Sequence, residues 1–83
     1  MMLKKLTLTD TNNNEIRLVR QSFNLSNLND LEWYYDDLNS RKKFPNEDNI
    51  WDQFDQAKVG SIIYDKNKNK LYTVKTRMEG GPI

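Results

Sequence analysis

A chain of 83 residues with 36% hydrophobic content, 30% charged residues and a mean hydropathy of −0.93 has material for one thin core, and a core of that size supplies only about 3–5 kcal/mol of stability. It contains neither Cys nor His, which excludes disulfides, thiolate nucleophiles, imidazole bases and the usual zinc and iron–sulfur ligands. The net charge is only +1.

The charge is nevertheless sorted along the chain. Residues 1–27 hold Lys4, Lys5, Arg17 and Arg20 against Asp10 and Glu15. Residues 28–57 are strongly acidic: Asp30, Glu32, Asp36, Asp37, Glu47, Asp48, Asp52 and Asp55 face only Arg41, Lys42 and Lys43. Residues 58–83 are basic again, through Lys58, Lys66, Lys68, Lys70, Lys75 and Arg77. Such asymmetry points to separate surfaces of opposite sign.

In chain order, the first expected element is a β-hairpin. Leu6-Thr7-Leu8 and Ile16-Arg17-Leu18-Val19 flank Asp10-Thr11-Asn12-Asn13-Asn14, residues that accept turns and positive φ. A five-residue loop sets Leu8 opposite Ile16 and Leu6 opposite Leu18 on one face, with Thr7 opposite Arg17 on the other. The chain closes with a second hairpin of the same design, Ser61–Tyr64 and Lys70–Val74 around Asp65-Lys66-Asn67-Lys68-Asn69. Placing Asp10 on Asp65 also places Asn12 on Asn67 and Asn14 on Asn69.

Between the hairpins the periodicity is helical. Asn29 with Glu32 reads as a capping box, and Leu31, Tyr34, Tyr35 and Leu38 recur at i, i+3, i+4 and i+7. After Pro45, Asn46 is placed to cap a second helix carrying Ile50, Phe54 and Ala57, with Gly60 as its stop. The expected fold is a single α+β domain over residues 1–83: two antiparallel hairpins, in one four-stranded sheet or as two ribbons, flanking two central amphipathic helices in the order ββααββ. The tail 79–83 is expected to fray. The expected core includes Leu6, Leu8, Ile16, Leu18, Leu31, Tyr35, Leu38, Ile50 and Phe54, with Trp33 more exposed than Trp51.

No reactive constellation emerges. Both loops read D-x-N-x-N, the opening of a calcium-binding loop, but Glu15 and Lys70 stand where position 6 calls for Gly, and Gln21 and Thr76 where position 12 calls for an acid. The Asp and Asn side chains are better explained as partners for turn backbone. Gly60, Gly80 and Gly81 form no phosphate loop. The chain is therefore expected to be no enzyme and to need no cofactor or metal. It has no apolar run near the roughly 20 residues of a membrane helix and no signal-peptide pattern after Lys4 and Lys5, so a cytoplasmic location without membrane contact is expected.

Two surfaces remain. On helical wheels, Trp33, Asp36 and Asp37 of the first helix and Asp48, Asp52 and Asp55 of the second turn away from the apolar side. They would form an acidic helical face anchored by one tryptophan, unless it is simply a solvated surface with Trp33 folded back on Leu28. Alternatively, Lys66, Lys68 and Lys70 interleave with Tyr64 and Tyr72 on the second hairpin, a pattern that holds phosphates and stacks bases or merely protects a sheet edge. The leading expectation is a small protein-binding module, such as an inhibitor carried by a phage or mobile element, that offers the acidic face to a larger protein with a basic, nucleic-acid-binding surface. A weak nucleic-acid binder using the basic hairpin is the alternative. The thin core also leaves room for a homodimer.

Overall fold

A computed structural model describes residues 2–22, 32–37 and 42–80. Five antiparallel strands form one sheet: β1 (Met2–Asp10), β2 (Glu15–Ser22), β3 (Trp33–Tyr35), β4 (Ile62–Tyr64) and β5 (Lys70–Gly80), in the order β3-β2-β1-β5-β4. A 3-10 turn at Glu47–Asn49 leads into one short helix, α1 (Ile50–Gln56). The ββααββ order with two central helices is therefore incorrect. Among the described residues the protein is mostly β, and α1 lies against one face of the sheet.

The first hairpin follows from its sequence. Leu8 pairs with Ile16, Leu6 with Leu18 and Thr7 with Arg17, because alternation puts the apolar set of both strands on one face. Its central strand β1 also pairs with β5, which joins the two hairpins into one sheet. Between Thr7 and Leu8 the β1–β5 register shifts, leaving Lys75 as a bulge. In an unbulged strand, Val74 and Thr76 would share a face. With the bulge, Val74 and Arg77 both turn toward α1.

The first expected helix is instead strand β3. Trp33-Tyr34-Tyr35 pairs with Arg20-Val19-Leu18, and its other edge meets the returning chain: the Tyr35 amide donates to the Lys42 carbonyl at 2.8 Å and the Phe44 amide to the Trp33 carbonyl at 2.8 Å. A run of three aromatic residues favours a pleated surface over a helix, and here the packing also rewards it. Trp33 is fully buried, edge-on to Phe54 with centroids 5.7 Å apart, while Trp51 is only half-buried, its indole N–H donating to the Phe44 carbonyl. The expected order of exposure of the two tryptophans is thus reversed. The wheel failed because Trp33 and Tyr35, two residues apart, share the inner face of a strand. The capping residue Asn29, together with Leu28, Leu31 and Leu38, lies outside the described residues.

The second expected helix exists in shortened form. The residue at its N-cap position is Asn49 rather than Asn46, although the Asn46 side-chain oxygen accepts the first-turn amide of Trp51 at 3.1 Å. Asp48 and Asn49 sit at φ 56° and 57°, so Asp48 does not continue the helical face of Asp52 and Asp55. The helix ends at Gln56 rather than at Gly60, whose φ of 90° belongs to the following turn. Leu6, Leu8, Leu18, Ile63 and Val74 from the sheet close on Trp33, Phe44, Ile50, Phe54 and Ala57. Ile16 and Tyr35 are only partly buried against this core. Glu79 and Gly80, expected to fray, extend β5 opposite Lys4 and Leu3.

Two arginines from the strands flanking β1 fasten α1. Arg77 donates to the carbonyls of Phe54 (2.9 Å), Ala57 (2.6 Å) and Asp55 (3.1 Å), satisfying the last turn's orphan acceptors with a cation at the negative end of the helix dipole. Arg20 pairs with the Asp55 carboxylate, which also accepts the Trp33 indole N–H at 3.1 Å. At the sheet edge, the Gln53 side-chain amide both donates to the Tyr64 carbonyl (2.7 Å) and accepts from its amide (3.0 Å). It occupies hydrogen-bonding groups that a neighbouring strand would otherwise seek.

Trp33→Ala should cost about 3–5 kcal/mol, the range for emptying a buried aromatic site, and should leave the domain largely unfolded at room temperature by circular dichroism. Asp55→Ala, which strands Arg20 and the Trp33 indole, should cost about 1–3 kcal/mol in urea denaturation. Lys68 adopts φ 65°, a conformation that Asn tolerates better than Lys, so Lys68→Asn should raise stability by about 0.5–1 kcal/mol in the same measurement.

Candidate functional site

The two D-x-N-x-N loops superpose bond for bond. In the first, Asp10 Oδ1 accepts the amides of Asn12 (2.8 Å) and Asn14 (2.9 Å) and Oδ2 accepts the Asn14 side-chain amide (3.3 Å). In the second, Asp65 Oδ1 accepts the amides of Asn67 (2.8 Å) and Asn69 (2.9 Å) and Oδ2 the Asn69 side-chain amide (3.2 Å). Asn13 and Lys68, the fourth residue of each, are both left-handed. These carboxylates are committed to turn backbone, and among the described residues no three acidic groups converge on a metal position. The amides of Asn14 and Asn69 hold the carboxyls of Asp10 and Asp65 below the usual carboxylate range.

The likeness of the hairpins stops just beyond the loops. Thr9 pairs with Glu15 in the first hairpin and Tyr64 with Lys70 in the second, but the second then slips, so that Ile63 meets Tyr72 rather than Leu71. The slip places Tyr72 on the inner face, where it lies near Phe44 (centroids 6.3 Å). Burial, with Tyr35 and Asp10 nearby, pushes the Tyr72 hydroxyl above its usual range.

Tyr72 forms one wall of a cleft of about 310 Å³ between the second hairpin loop and the turn that precedes α1. Its lining is aromatic and apolar, from Tyr35, Phe44, Tyr64, Leu71 and Tyr72 with Pro45 and Ile50, and three acids stand in it: Glu47, Asp48 and Asp65. Tyr35 and Phe44 meet at 5.2 Å with planes tilted by 46°, while Tyr64 is 42% exposed. Consecutive left-handed residues at Asp48 and Asn49 set this acidic turn beside the cleft, a conformation Asp and Asn accept more readily than other non-glycine residues.

The expected acidic helical face is dispersed. Trp33 is internal, and Asp55 is half-buried on Arg20 and the Trp33 indole. Asp36 lies on the opposite side of the sheet, 3.5 Å from Lys5, and Asp37 is exposed at the end of β3. Asp52 is exposed in the first turn of α1, where its charge suits the helix N-terminus. Only Asp48 stands in the cleft, joined there by Tyr64 and Tyr72 from the alternative site. Lys66, Lys68 and Lys70 are exposed along and beside the loop, but their aromatic neighbours share a cleft with three carboxylates, an arrangement that repels phosphate. Of the other cleft residues, the sequence patterns place Tyr35 and Ile50 in the core and Asp65 in a turn, and assign none of them, nor Glu47 or Phe44, to a site. A turn-forming Asp and aromatic residues from four separate segments offer no local signal of convergence.

The other sheet face carries Lys5, Thr7, Arg17, Thr76 and Met78, with Glu15 paired to Lys75 and Arg17, the mixed polar surface usual for a one-sided antiparallel sheet. Among the described residues no helix is long and apolar enough to cross a membrane.

The lowered carboxyls of Asp10 and Asp65 fix the sign of one pH dependence. A carboxyl whose folded pKa lies below its unfolded value adds stability that is complete above about 3.8 and is lost as pH falls through the folded value. Urea midpoints should therefore fall between pH 5 and pH 2. The acid limb should be shallower in the Asp10→Asn/Asp65→Asn variant, which keeps the side-chain acceptor but not the charge.

Comparison with protein-family models, with curated proteins and with solved structures yields no match, so the functional reading rests on the cleft and its surroundings.

Proposed function

We propose that the protein is a small cytoplasmic protein-binding module that seats a basic surface of a larger partner over the cleft and the acidic turn beside it, as an inhibitor encoded by a phage or mobile element would. The observation that carries this reading is the pairing of an apolar, aromatic-lined recess with Glu47, Asp48 and Asp65. Ring faces supply contact area at little entropic expense, and carboxylates at the margin steer a cationic partner and suppress anionic ones. Asp52, exposed on the adjoining helix, extends the same field. Trp33 and Asp55 drop out of the working surface because the fold itself uses them.

The lining suits recognition rather than turnover. It offers fixed negative charge and neutral rings, in a chain without His or Cys. A basic surface of the kind that holds nucleic acid has the complementary sign, and covering it would block its other ligand.

Affinity capture from the source cell with the unmodified chain and with a Glu47→Gln/Asp48→Asn variant tests the reading. A nuclease-resistant protein should be retained by the first, lost by the second and released as ionic strength rises past the point where surface charges are screened. Retention of nucleic acid that disappears in a Lys66→Gln/Lys68→Gln/Lys70→Gln variant would overturn the proposal, as would a partner indifferent to the acidic turn.

A further inference from the structure

We propose that the cleft is a receptor for a single arginine side chain, so that the partner inserts one guanidinium between the second hairpin and the turn before α1. The inference rests on the binding-module reading and names the group it recognises. The recess of about 310 Å³ lies at the small end of ligand pockets, a size that suits one long side chain better than a cofactor. Its rings do not stack in parallel: Phe44 meets Tyr35 at 46° and Tyr72 at 72°. An entering group therefore faces π-surface from more than one direction, the arrangement that favours a cation over a flat neutral ring.

The charges distinguish between cations. Glu47, Asp48 and Asp65 line the same cleft, yet no three acidic groups among the described residues come close enough together to hold a metal ion. Separated carboxylates around a recess match a delocalised organic cation instead. Asp65 already accepts three hydrogen bonds from its turn amides and contributes chiefly field. Glu47 and Asp48 have no partner among the described residues and are available as acceptors. A guanidinium is planar, weakly hydrated, stacks on aromatic faces and bonds carboxylates through two parallel N–H groups, whereas an ammonium is compact and holds its water. In an open, ring-lined recess arginine is the better occupant.

The test is a titration of the full chain with acetyl-Gly-Arg-Gly-amide, followed by NMR, alongside the same peptide carrying lysine or citrulline. Arginine should give saturable shifts at Tyr64, Leu71 and Tyr72. Lysine should bind severalfold more weakly and citrulline, which keeps the shape but not the charge, at least about tenfold more weakly. Tyr64→Ala and Asp48→Asn should each weaken arginine binding by about fivefold or more with unchanged thermal midpoints, since both residues are exposed and Asn accepts the left-handed backbone at 48. Absence of saturation, equal binding of citrulline, or shifts confined to other parts of the sheet would overturn the inference. Saturation by the arginine peptide supports it whatever the capture experiment shows. Its failure alongside charge-dependent capture removes the arginine receptor and leaves the binding module standing.

Discussion

Seven residues of helix have no independent stability in water, so α1 exists because Arg77 collects the carbonyls of its last turn while Arg20 grips Asp55 from the other side of β1. These half-buried cations do more than close hydrogen bonds. They fix where the helix lies on the sheet, and with it the positions of Phe54 over Trp33 and of the Glu47–Asn49 turn beside the second hairpin. The cleft is thus a boundary condition of the clamp: its hairpin wall belongs to the sheet, its acidic wall to the segment that the clamp holds in place.

The two walls differ in how they are stabilised. The hairpin wall begins at a loop whose carboxylate is satisfied by three neighbouring amide groups, a local arrangement that needs nothing from the rest of the chain. The acidic wall carries two consecutive left-handed residues and depends on long-range packing. A recess formed by one self-sufficient wall and one dependent wall is sensitive to changes in the core but tolerant of changes in the loop.

What the sequence revealed follows the same division. Both loops and the register of the first hairpin were legible because the Asp and Asn side chains that close a turn are its neighbours in sequence, and because Leu6, Leu8, Ile16 and Leu18 alternate without exception. The first expected helix was not, since Tyr34 and Tyr35 satisfy a helical stripe while Trp33 and Tyr35 satisfy a strand, and only the partners Arg20, Phe54 and Asp55 decide between them. The same partners turned an expected binding residue into a core one. Asp48, Tyr64 and Tyr72 were each singled out, but for two different surfaces. That they share one cleft depends on a register slip at Leu71 that no local signal encodes.

The bulge at Lys75 divides β5 into two reading frames. Upstream of it the even-numbered Tyr72 and Val74 face inward; downstream the odd-numbered Arg77 and Glu79 do. Side-chain identity at position 75 itself matters little, because among the described residues Lys75 is exposed and reaches only Glu15 on the surface; what matters is that the residue stays out of the ladder. The strand therefore tolerates variation in kind at this point, and loss of the bulge residue too, provided that the ladder resumes with Thr76 opposite Thr7. Were Lys75 instead drawn into the ladder, Thr76 would face inward and Arg77 would turn to the far side of the sheet, leaving the carbonyls of Phe54 and Ala57 unanswered, whereas deleting Lys75 would remove the bulge and keep Arg77 on α1.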